Sequence, residues 1–104
     1  MEVTKLSGIT SYGTWIPFYR LSVDEIHRVW RNCTIIRIKD DLKLSERAVL
    51  QPNEDTITLA NAAADFALSK ISKNEIGAAF FGSGTNPYDT RPSVTLICEA
   101  LGLP

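Results

Sequence analysis

The chain has 104 residues, 44% hydrophobic and 22% charged, which is the size and composition of one soluble domain. Its 11 Lys and Arg against 12 Asp and Glu leave a net charge of −1, so there is no basic field for a nucleic-acid backbone or an anionic membrane. No stretch approaches the ~18 consecutive apolar residues that read as a bilayer span, and Met1-Glu2-Val3-Thr4-Lys5 is no secretory signal, so a cytoplasmic location is expected.

Residues 8–17 are rich in β-formers and close on Pro17, predicting a strand followed by a turn. Ser22 then stands three residues before Glu25, the spacing of a capping box, with Leu21 and Ile26 placed for a hydrophobic staple. The helix they start is expected over 23–31, burying a stripe of Val23, Ile26, Val29 and Trp30. Residues 34–38 fit a strand and a continuing helix equally well, because short apolar runs do not discriminate. Asp40, Asp41, Lys43, Glu46 and Arg47 form a polar surface segment in which Glu46 and Arg47 are expected to pair locally, and Gln51-Pro52-Asn53 reads as a turn.

A second helix is predicted from about residue 55 to 70, capped by Asp55. Ile57, Ala60, Ala64, Leu68 and Ile71 share one face, while Leu59, Ala62, Ala63, Phe66 and Ala67 widen the apolar surface to most of the circumference. Such a helix is expected to be buried on several sides, its small side chains admitting close neighbours. After the polar connection 72–75, the uniformly apolar run 76–82 predicts a strand covered on both faces. A polar loop spans 83–91, and a third helix opens with Pro92 at or near its first position and stops at Gly102. Helix, strand, polar loop and helix in that order predict an α/β sheet protein.

Cys33 and Cys98 are too few for a disulfide scaffold and too far apart in sequence for a zinc site. Both read as structural thiols in a reducing compartment, Cys98 as a buried, inert one. His27 is the only histidine and falls on the polar side of its helix with no triad partner. Glu54 and Asp55 resemble a carboxylate pair but stand where a helix start favours acids. No segment supplies a nucleophile, a base and an orienting group together, and no metal ligands cluster.

Ligands in open α/β sheets gather beyond the carboxyl ends of strands, which is where the 83–91 loop is expected, leading into a helix N-terminus that favours anionic groups. Ser83, Thr85, Asn86, Tyr88, Asp89 and Arg91 are therefore the candidates to contact a substrate or a facing subunit. The alternative is a plain connecting turn, with Asp89 or Thr90 capping the helix and Arg91 solvated. Gly82-Ser83-Gly84-Thr85 matches neither a P-loop nor a dinucleotide fingerprint.

An ordered set of blocks carries a family resemblance. Gly8-Ile9-Thr10-Ser11-Tyr12-Gly13, Ile16-Pro17, Tyr19-Arg20-Leu21, Glu46-Arg47-Ala48-Val49, Pro52-Asn53-Glu54-Asp55-Thr56-Ile57, Asn86-Pro87-Tyr88, Arg91-Pro92-Ser93 and Glu99-Ala100-Leu101-Gly102 resemble the start of archaeal-type hydroxymethylglutaryl-CoA synthases. The frame is similar to that of the type III β-ketoacyl-carrier-protein synthases too. The resemblance implies the N-terminal part of a thiolase-like fold, layered α-β-α-β-α and incomplete on its own, with no internal boundary in residues 1–104. It implies acyl transfer through a cysteine thioester, with acyl-CoA or an acyl carrier as donor to the complete assembly, no cofactor held by this chain alone, and a dimer.

Two departures accompany it. The family's nucleophilic cysteine and its histidine follow the Leu101-Gly102 block, beyond Pro104, and Cys98 aligns with a helix-interior position. Gly84 occupies the place where the hydroxymethylglutaryl type carries its general acid/base glutamate, and glycine transfers no proton. The blocks 46–52 and 85–89 look like the synthase-III-like subunits of bacterial monoacetylphloroglucinol acetyltransferases. That likeness implies, as partners, the remainder of such a subunit, a thiolase-like subunit and a small zinc-bearing OB-fold subunit, and a structural role without its own chemistry; the alternatives are a standalone small α/β interaction module whose surface includes the 86–91 loop, and a fragment of a hydroxymethylglutaryl-CoA synthase.

Overall fold

A computed structural model describes residues 6–31 and 34–104. Cys33 lies outside the described residues. The elements are β1 (Tyr19–Ser22), α1 (Val23–Val29), a π-helical turn (Arg37–Asp41), β2 (Glu46–Val49), α2 (Thr56–Leu68), a 3-10 turn (Lys73–Glu75) and α3 (Ser93–Leu101). Helix and strand are both present, the strands as one antiparallel pair, as suits a piece of an α/β protein. The chain divides into two compact units, Ile16–Glu54 and the remainder.

In the unit Ile16–Glu54, β1 pairs β2 in the register Tyr19 with Val49, Arg20 with Ala48, Leu21 with Arg47 and Ser22 with Glu46. Glu46 does not pair with Arg47 as expected. Adjacent strand residues point to opposite faces, so Glu46 instead meets Arg20 diagonally across the ribbon at 3.5 Å. Ser22 ends β1 and caps α1, its Oγ accepting from the Glu25 N–H at 3.2 Å. The reciprocal half of the expected capping box is absent, because the Glu25 carboxylate accepts from Arg28 at 2.7 Å. Of the expected apolar stripe only Val23 is buried; Ile26 is half-buried, and Val29 and Trp30, at the end of the seven-residue α1, are 81% and 65% exposed. The ambiguous 34–38 segment resolves as helical, running into the π-helical turn. The Gln51–Glu54 turn closes on itself, with the Gln51 N–H donating to the Glu54 carboxylate and the Glu54 N–H to the Gln51 carbonyl.

The other unit is built on α2 and α3. Asp55 caps α2 and completes a capping box with Thr58, each side chain accepting the other residue's N–H at 2.8 Å. Ile57, Ile97 and Leu101 form the core, with Ala60, Ala64, Leu68, Phe81, Leu96 and Leu103 packed around them. α3 ends in a Schellman motif: Gly102 adopts φ 63°, its N–H bonds to Glu99 and the Leu103 N–H to Cys98. Pro92 is the flanking residue immediately before α3, near its first helical position as expected.

Neither the strand expected over 8–17 nor the one expected over 76–82 forms. The 8–17 segment carries no ladder, and its part in this unit lies along α2: Ser11 Oγ donates to the Ala67 carbonyl at 2.6 Å, and Trp15 stacks on Phe66 with ring centroids 6.2 Å apart. Ser11 thereby satisfies a carbonyl in the last turn of α2 that has no partner within the helix. Gly13 is what permits the approach, since a Cβ there would run into the Ala63 carbonyl and come 2.6 Å from the Ala67 nitrogen. The 76–82 run forms no strand, and Phe80 is 97% exposed where burial on both faces was expected. An extended run becomes a buried strand only between neighbouring strands and covering layers, and among the described residues none flanks it. α2 is covered along its α3 side and at Gly13, but Phe66 remains 59% exposed, so its cover is partial.

Candidate functional site

The loop ahead of α3 is organised by short polar contacts that follow from its composition. Ser83 turns it, its Oγ accepting from the Thr85 N–H at 3.1 Å and its carbonyl from Asn86 Nδ2 at 3.3 Å. Thr56, the first residue of α2, donates its hydroxyl to the Thr85 carbonyl at 3.0 Å, fixing the loop against that helix start. At the other end Ser93 Oγ reaches Asn86 Oδ1 at 3.5 Å, and Ser93 is the buried polar residue of this unit.

Tyr88 and Arg91 meet as a cation–π pair, the guanidinium 5.9 Å from the ring centroid. Asn86, Tyr88, Asp89, Thr90 and Arg91 line a cavity of about 380 Å³ with Phe81 and the first residues of α3. No side chain caps α3, so neither Asp89 nor Thr90 takes the capping role that the connecting-turn alternative gave them. Gly84 sits in open space, with nothing within 4 Å of where a Cβ would stand. The cavity thus presents an amide, a phenol, a carboxylate and a guanidinium, a set that binds and orients polar groups.

Thr56 and Ser93 anchor this loop and were not among the candidates. Their only sequence signals are positional, Thr56 following the cap Asp55 and Ser93 following Pro92. Elsewhere Asp55 is a cap and Glu54 a turn closure, so the apparent carboxylate pair is structural. His27 is half-buried on α1, and Cys98 is a partly buried free thiol in α3. Among the described residues no group of three or more His, Cys, Asp and Glu converges as a metal site, and no helix is long and apolar enough to cross a membrane.

No family model matches the chain. Curated relatives do. It is 43% identical over 98 residues to hydroxymethylglutaryl-CoA synthase of Archaeoglobus fulgidus, a match spanning 92% of this chain and 28% of that protein. The same enzyme of Thermoplasma volcanium is 41% identical over 100 residues, spanning 94% of this chain and 28% of the relative. That of Methanocaldococcus jannaschii is 43% identical over 98 residues, with 92% and 28% covered. The chain is homologous to hydroxymethylglutaryl-CoA synthases. It corresponds to little more than a quarter of their length, at 28%.

Proposed function

We propose that the chain is the N-terminal portion of a thiolase-fold acyltransferase subunit, structural by itself, whose complete form joins acyl groups delivered by coenzyme A or a carrier protein. The observation that carries this reading is identity near 40% running through nine-tenths of the chain, at 43% over 92% in one relative and 41% over 94% in another. In this reading α2 and α3 are covering helices, and Ser83, Thr85, Asn86, Tyr88, Asp89 and Arg91 face the substrate or a second subunit. The nucleophilic cysteine and its histidine come from outside residues 1–104. A cytoplasmic setting and dimeric assembly belong to the same proposal, as does C-acetylation of a phenolic acceptor alongside a thiolase-like and a zinc-bearing OB-fold subunit.

A second reading, a fragment of a hydroxymethylglutaryl-CoA synthase itself, is favoured by the names of the relatives and opposed by Gly84. A chimera separates the two: this chain replaces the matching segment of the Methanocaldococcus jannaschii enzyme. The first reading expects an assembled protein with little condensation activity, restored by Gly84→Glu because the open space there admits the side chain. Full activity with glycine in place would favour the second reading. A chimera that does not assemble, or stable acetyl thioester formed from labelled acetyl-CoA on Cys33 or Cys98 of the chain alone, would overturn the first.

A further inference from the structure

We draw no further inference here: the strongest candidate, the apolar groove between α2, α3 and residues 79–81, carries none because nothing in the structure shows what covers it.

Discussion

At the residue scale, single positions with defined geometric tasks carry much of the local order. Gly13 is one, because its backbone rests directly on the Ala63–Ala67 stretch of α2. Gly13→Ala is expected to lift the N-terminal segment off the helix, breaking the Ser11 bond and the Trp15–Phe66 stack. The measurement is Trp15 fluorescence, shifting towards the solvent-exposed value in a Trp30→Phe background. Asp55 is another. Asp55→Ala removes one half of a capping box and should cost about 1 kcal/mol in urea unfolding followed by circular dichroism, while Asp55→Asn should cost much less. Gly84 is the contrasting case: its Cβ position is open, so Gly84→Glu should leave stability within roughly 0.5 kcal/mol of the parent chain. Substitution there therefore reads chemistry rather than folding.

At the element scale, α2 and α3 hold each other through a small interface. Ile57, Ile97 and Leu101 are its buried members, and alanines at 60 and 64 let the two helices approach. Ile97→Ala is expected to destabilise this unit by about 2 to 4 kcal/mol, read as a lowered urea midpoint. The β1–β2 ribbon is the weaker element, since a two-stranded sheet has no flanking strand and marginal stability in water. Its diagonal Arg20–Glu46 pair is half-exposed and screened, so Glu46→Gln should shift the same midpoint by less than about 0.5 kcal/mol. The contrast follows from burial: a methylene removed from between two helices leaves a void, whereas water replaces an exposed partner.

At the scale of the whole molecule, large apolar side chains such as Phe80, Phe18 and Trp30 are largely exposed. The apolar run 76–81 lies outside any ladder, and its unpaired backbone offers itself to intermolecular strand pairing. The chain is therefore expected to associate through residues 76–81, and Phe80→Asp should raise the concentration at which larger species appear in sedimentation.

The sequence by itself determined what local chemistry decides. Ser22 and Asp55 start helices, Gly102 ends one, and alanines mark the face of α2 on which α3 packs; each signal acts within a turn or two of its own residue. The polar loop 83–91 was legible for the same reason, as a cluster of turn formers ahead of Pro92. Tertiary structure alone decided the rest. Whether 8–17 and 76–82 become strands depends on neighbours that a periodic pattern does not name, and the first of them rests on α2 through Ser11, Gly13 and Trp15 instead. Glu46 chose Arg20 over Arg47 because register, set by the pairing of β1 with β2, places residues distant in sequence on one face.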